Sequence, residues 1–169
     1  TSSERDISLK GGDQVYAALD KEKYHVVRYD PQSDIPKLFA DAPNIDVALV
    51  ILHGTNGEDG TIQGILDLLQ IPYQCSGPLG SAVAMNKLAA KKLYEASGIP
   101  VPAYMGVTRK ASVDTSDCVA RMGLPLVVKP ASSGSSIGMS IVRSAEALPG
   151  ALEKAFAADE TVLIEEYIS

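Results

Sequence analysis

Apolar positions along this chain follow two different periods. The run "DVALVIL" at residues 46 to 52 is almost unbroken, and "YHVVRY" at 24 to 29 mixes β-branched and aromatic residues. Both are bounded by Asp, Pro or Gly, which is how strands of a covered sheet look. Around them the period lengthens to that of a helix. "QVYAALDKE" at 14 to 22, "TIQGILDLL" at 61 to 69 and "SAVAMNKLAAKKLYEAS" at 81 to 97 each predict a helix, the second with Ile62, Ile65, Leu66 and Leu69 on one face. Strands and helices in alternation predict an α/β unit: a parallel sheet with helices on its faces.

Further along, Gly98 is placed to close the third helix, and "IPVP" at 99 to 102 imposes a stiff, extended crossing. Then the order changes. The pattern predicts strand "AYMGV", helix "SDCVARM", strand "LPLVVK", a serine-rich loop, strand "MSIVR", helix "GALEKAFAA" and strand "TVLIEEY", with Pro149 and Gly150 at the start of the last helix.

Composition narrows the classes. With 46% hydrophobic and 21% charged residues in a chain of 169, the sequence has the make-up of a folded domain. A net charge of −6 argues against nucleic acid as a partner. Cys75 and Cys118 have neither metal-ligand spacing nor a disulfide-rich context, so they read as free thiols in a reducing compartment, the cytoplasm. The longest apolar stretch, "VALVIL", is far too short to span a bilayer, and no membrane role is expected. The opening residue is Thr1 rather than methionine, which suggests truncation or processing.

Four stretches carry candidate chemistry. "KPASSGSSIG" at 129 to 138 can bend at Gly134 and Gly138, so that backbone N–H groups and the hydroxyls of Ser132, Ser133, Ser135 and Ser136 converge on an anion; an ordinary turn between strands is the plainer alternative. It is not a GxxxxGK[ST] loop, because the lysine precedes the glycines and a strand follows. Lys129 ends an apolar strand and opens this loop, where its ammonium suits a phosphate. Lys87, with Lys91 and Lys92 close by, reads as well as a solvated charge.

"HGTNGEDG" at 53 to 60 follows a strand and precedes a helix, the place where ligands gather in open sheets. His53, Glu58 and Asp59 could orient an ammonium or carboxylate there, or Asp59 could simply cap the helix. In "VLIEEYI", Glu165 and Glu166 point to opposite faces, so one meets solvent while the other could accept hydrogen bonds from a ribose or an adenine amine. In "SSERDISL", Ser3 can cap a helix, and Glu4 is either a first-turn acid or a carboxylate aimed at a substrate amine.

Taken in order, "SSERDISL", "HGTNGEDGTIQGILDLLQIPYQCSG", "SAVAMNK", "LPLVVKPASSGSSIGMSIV" and "VLIEEYI" resemble the D-alanine–D-alanine ligases of the ATP-grasp superfamily. The resemblance runs through the whole chain, and HGxxGEDGxxQG is its most specific part. It departs mildly at Cys75, where a small glycine is usual, and at Asn86, where an acid is usual. A ligase of this family is nearly twice as long.

The resemblance implies ATP-dependent joining of two D-alanines through an acyl phosphate, for peptidoglycan precursor synthesis. Its fold would be α/β then α+β: a partial Rossmann-like parallel-sheet domain at 1–80 without its first strand, then the first lobe of an ATP-grasp domain at 81–169 without its second. Glu4 and Ser135 match catalytic and substrate-binding positions, and His53 lines the same pocket. Lys87 and Lys129 match phosphate-binding lysines, Ser136 lies in the loop closing over the phosphates, and Glu165, Glu166 and Ile168 match the adenine and ribose region. ATP is a substrate, Mg2+ is implied with ligands outside this chain, and a homodimer is possible. The chain by itself is expected to be inactive. A D-alanyl-D-lactate or other carboxylate ligase, and a nonenzymatic nucleotide-binding module, are the alternatives.

Overall fold

A computed structural model describes residues 2–111 and 113–168. The chain forms two compact units, 1–82 and 83–169. In the first, α1 (Arg5–Ala18), α2 (Ile35–Asp41) and α3 (Thr61–Leu68) accompany the segments that the pattern assigned to strands. Leu38, Ile62, Leu66 and Ile71 make the core, with Ala48, Val50 and Leu52 packed against it. Val47 and Leu49 alternate with these and are 62% and 50% exposed.

That alternation has the period of a strand, yet no ladder forms. The expected strand at 24 to 29 is irregular, and the one at 46 to 52 is reduced to a single parallel bridge between Ala48 and Tyr73. The Ala48 N–H donates to the Pro72 carbonyl at 2.8 Å. Val50 is clamped instead by the side-chain amide of Gln74, which accepts from its N–H at 2.9 Å and donates to its carbonyl at 2.7 Å. Backbone groups need a partner rather than a ladder, and here a glutamine provides it.

Local starts also differ from the pattern. Ser3 does not cap α1: the N-cap is Glu4, whose N–H donates to the Ser2 hydroxyl at 3.0 Å. Gly60, at φ +92°, takes the N-cap of α3, while Asp59 accepts the N–H groups of Asn56 and Thr61 from one residue further out. A Cβ at residue 60 would lie 2.5 Å from the Pro78 carbonyl oxygen, so only glycine fits.

The long helix expected at 81 to 97 is two helices, α4 (Pro78–Met85) and α5 (Lys87–Ala96). The break is at Asn86, whose backbone is extended and whose side chain accepts from the N–H groups of Leu88 (3.1 Å) and Ala89 (3.0 Å). Asparagine competes with the helix by this bond, and so starts a new one. Asn86→Ala is expected to lower stability by about 1 kcal/mol, read as a denaturant midpoint at unchanged slope.

The second unit adds β1 (Tyr104–Thr108), α6 (Thr115–Met122), β2 (Leu126–Pro130), β3 (Ser140–Val142), α7 (Leu148–Phe156) and β4 (Thr161–Glu166). Its sheet has the order β1-β4-β2-β3 and is antiparallel throughout. Sequence pattern found these strands and helices to within a few residues.

The two faces of this sheet have different chemistry. Val107, Leu126, Val128, Val142, Val162 and Ile164 form one face, in a single core with Cys118 of α6 and Leu148, Ala151, Leu152 and Ala155 of α7. The opposite face carries Val127 and Lys129 beside Leu163 and Glu165, as the register Val127↔Glu165 and Lys129↔Leu163 requires. Helix α5 lies against this face: the space a Cβ of Gly106 would fill is taken by Leu88 at 2.7 Å. That close approach places Lys87 and Lys91 of α5 beside the polar end of the sheet.

Candidate functional site

In the first unit, residues 2–8 and 53–63 are tied into one cluster. The Ser2 hydroxyl donates to the His53 carbonyl at 2.9 Å, and the Ser8 hydroxyl donates to the Glu4 carbonyl at 3.3 Å while accepting the His53 N–H at 2.9 Å. The Gly54 N–H donates to Glu58 Oε2 at 2.6 Å, and the other oxygen of that carboxylate lies 4.0 Å from His53 Nδ1. Below them the buried Gln63 amide donates to the Gly57 carbonyl at 2.7 Å. The glycine-dense loop is therefore a fixed platform.

Glu4 is 5% exposed. A Cβ at Gly54, which has φ +71°, would fall 2.7 Å from Glu4 Oε2 and 2.6 Å from Ser2 Oγ. Glycine at 54 thus lets the chain pass directly against the carboxylate. An acid at this depth, in a cluster that also holds the half-exposed His53 imidazole, can orient a small molecule carrying an ammonium and a carboxylate.

The second unit holds the cationic cluster. Lys87, the first residue of α5, donates from Nζ to the Ser133 carbonyl at 2.6 Å, and its N–H donates to the Ala131 carbonyl at 2.9 Å. The serine loop thus rests on this lysine. Burial first, then the charge of Lys129, hold the Lys87 ammonium below the usual lysine pKa, against the opposing pull of Asp159 and Glu165. Lys129 pairs with Oε1 of Glu165, and Lys91 pairs with Oε2 at 2.9 Å; the Lys91 and Glu165 side chains are each only 10% exposed.

Ser135 and Ser136 stand at the exposed tip of the loop in left-handed conformations, φ 47° and 57°. The Ser132 N–H is held by Asp159 at 2.7 Å. Glu166 continues the opposite face of β4 from Glu165, as strand alternation requires, and Ile168 lies beyond the strand, 63% exposed.

The structure therefore brings Lys87, Lys129 and Glu165 together, with the serine loop above Lys87. It brings Glu4 and His53 together in the first unit. Lys91, which the sequence pattern offers only as a solvated neighbour of Lys87, joins the cluster of the second unit: it lies one turn after Lys87, on the same side of α5.

Burial alone would raise the Glu165 pKa, but the bonds from Lys129 and Lys91 outweigh it and hold the carboxyl below the ordinary glutamate range. A folded pKa below the unfolded one gives stability that is present above the unfolded value, about 4.3, and lost as pH falls through the folded value. Glu165→Gln should flatten the acid limb of a stability–pH curve below about pH 4.3, as measured by urea melts at several pH values.

Comparison with known proteins gives consistent matches. Residues 28–76 match the family model "D-ala D-ala ligase N-terminus" and residues 93–169 match "D-ala D-ala ligase C-terminus". The chain is 54% identical over 167 residues to a D-alanine–D-alanine ligase of Syntrophobacter fumaroxidans, covering 99% of this chain and 54% of the relative. It is 48% identical over 169 residues to that of Desulfotalea psychrophila, covering 99% and 52%. Among solved structures it is similar to the Bacillus anthracis ligase complexed with ATP, with a TM-score of 0.87 and 38% identity, covering 100% of this chain and 56% of that one. The chain spans about half the length of the relatives it matches.

Proposed function

The chain belongs to the D-alanine–D-alanine ligase family, and on that premise we propose that it provides substrate- and nucleotide-contacting residues for the ATP-dependent joining of two D-alanines. Lys87, Lys129 and Glu165, gathered beside a serine loop, support the reading most directly. The carboxylate of the first D-alanine attacks the γ-phosphorus of ATP, giving an acyl phosphate and ADP. The amine of the second then attacks the acyl carbon and expels phosphate, leaving D-alanyl-D-alanine.

Each proposed role follows from chemistry at its position. Glu4 pairs with the ammonium of the first D-alanine, with His53 beside it and the Ser135 hydroxyl supporting the substrate. The serine loop, with Ser136, folds over the phosphates. Lys87 and Lys129 offset the charge that grows on the transferred phosphoryl group, which is the larger part of catalysis in such a reaction. For this, Lys87 must exchange the loop carbonyls it now holds for phosphate oxygens. Glu165 keeps capacity for an adenine or ribose group, because each carboxylate oxygen accepts two hydrogen bonds. Glu166 and Ile168 complete that region.

Residues 1–80 then correspond to a Rossmann-like substrate domain and 81–169 to the first ATP-grasp lobe. Among the described residues no group of three or more His, Cys, Asp or Glu side chains could hold a metal ion. No helix among them is long and apolar enough to cross a membrane. Within the same reading the reaction is cytoplasmic and serves peptidoglycan precursor synthesis. Turnover is proposed only for a protein that also contains the remaining half of the relatives' length.

The test is a chimera in which this chain replaces the segment it matches in the Syntrophobacter fumaroxidans ligase. D-alanine-dependent release of ADP together with D-alanyl-D-alanine is expected. A folded chimera that binds ATP and forms no dipeptide would overturn the reading.

A further inference from the structure

We propose that Lys91 is a positioning residue of the nucleotide site: by holding one oxygen of Glu165, it keeps Lys129 available to a phosphate. This rests on the reading of Lys87, Lys129 and Glu165 as a nucleotide site, and extends it to a residue that itself touches no nucleotide.

The geometry is a carboxylate between two ammonium groups. Lys91 reaches Glu165 Oε2 at 2.9 Å, and Lys129 takes Oε1. Lys91 is fixed from a second side, its ammonium lying 4.9 Å from the centre of the Tyr104 ring, and the Tyr104 hydroxyl donates to Glu95 of α5 at 2.8 Å. Helix, strand and ion pair thus brace one another. Lys91 itself is 8% exposed, too deep to serve as a solvated surface charge.

Charge balance shows why this matters for an anion. Lys87, Lys91 and Lys129 face Glu165 and Asp159, so three cations stand against two anions, and the cluster carries an excess positive charge. Without Lys91 the excess disappears. Glu165 would be left with Lys129 as its ion-pair partner among the described residues, and a carboxylate whose side chain is only 10% exposed resists giving up that pair because its charge alone is costly there. Lys129 would then be held by Glu165 rather than offered to phosphate. With Lys91 in place the carboxylate is already compensated, and Lys129 can exchange it for a phosphate at less cost.

The distinguishing readout is the ratio of ATP to adenosine affinity, since adenosine carries the base and ribose without phosphates. ATP and adenosine are titrated separately into the chain, followed by NMR shifts so that millimolar affinities are measurable. Wild type is expected to prefer ATP. Lys91→Met should lower that preference roughly tenfold, about the effect of one charge-assisted bond. Lys91→Arg should keep it within about threefold, because a guanidinium can still hold the carboxylate.

Adding Glu165→Gln to Lys91→Met should restore the preference, because Lys129 no longer has a carboxylate to hold it, even if both ligands bind more weakly. Lys91→Gln should also lower the preference, because an amide can still bond the carboxylate but no longer compensates its charge, and it reads the same coupling should Lys91→Met fail to fold. An unchanged ratio in folded Lys91→Met or Lys91→Gln overturns the role of Lys91 while leaving the nucleotide site standing. If neither ligand binds the wild-type chain, the nucleotide reading falls and this inference with it.

Discussion

Lys129→Ala in the ligase chimera is expected to lower kcat/KM at least about a hundredfold, because one charge-assisted contact to a transferring phosphate in a closed site is worth on the order of 3 kcal/mol. The expectation comes from position. Lys129 is the fourth residue of β2, where an apolar strand gives way to the serine loop, and it shares a sheet face with Glu165. Its present partner is that carboxylate, which holds the ammonium on this face of the sheet with the side chain 24% exposed. A point charge held this way strengthens as the phosphoryl group gains negative charge, which is transition-state rather than uniform binding, and the loss should therefore fall on kcat as well as KM.

The competing account is structural: without Lys129, Glu165 keeps only Lys91, and the cost would appear as lost stability. A coupled ADP-release assay beside a denaturant melt separates the two. Activity within about threefold of wild type would sink the assignment of Lys129, and an activity loss explained wholly by unfolding would make the lysine a structural residue only.

How far the sequence foretold this structure depends on what stabilises each part. In 104–166 the strands carry their own hydrophobic alternation, and Val128, Val162 and Ile164 on one face meet α7 through its own apolar stripe, so pattern and packing agree. In the first unit they do not agree. Residues 46 to 52 read as a strand and alternate like one, but their backbone partners are the Pro72 carbonyl at the one bridge and the amide of Gln74, which no periodicity encodes. Asn86 was visible only as a departure in "AMNK", whereas its consequence, a second helix start inside an otherwise continuous helical pattern, needed the geometry of its side chain.

Site residues divide in the same way. Lys129 and the serine loop were legible because a polar loop after an apolar strand is a local signal. Glu165 and Glu166 could not be told apart, since alternation says only that they differ. Register made the choice: Glu165 stands beside Val127 on the lysine face, whereas Glu166 stands beside Leu126. Lys91 was hidden because a lysine among lysines on a helix looks solvated, and only the close approach of Leu88 to Gly106 shows that this side of α5 is covered.

Glu4→Gln should raise KM for the first D-alanine at least about tenfold and leave KM for ATP within about twofold, since a carboxylate–ammonium contact shielded from water is worth more than a neutral one by roughly that factor. The helix it precedes gives no competing reason for a loss. At the N-cap of α1, Glu4 makes no side-chain capping bond, and its links to Ile7 and Ser8 use the backbone carbonyl, which glutamine retains. A helix-dipole role alone would cost only about 0.3–1 kcal/mol of stability, with kinetics unchanged.

Gly54→Ala offers an independent approach to the same atoms. An added Cβ would sit 2.7 Å from Glu4 Oε2 on a backbone at φ +71°, so the carboxylate must move although its charge is intact. It should raise KM for the first D-alanine in the same direction, and adding it to Glu4→Gln should cost less than the product of the two single effects, because both act on one group. Steady-state kinetics with each substrate varied in turn, run on the chimera, give both numbers. A D-alanine KM within twofold of wild type in Glu4→Gln would remove this carboxylate from the substrate site, and full multiplicativity with Gly54→Ala would show that the glycine matters for the loop rather than for the acid beside it.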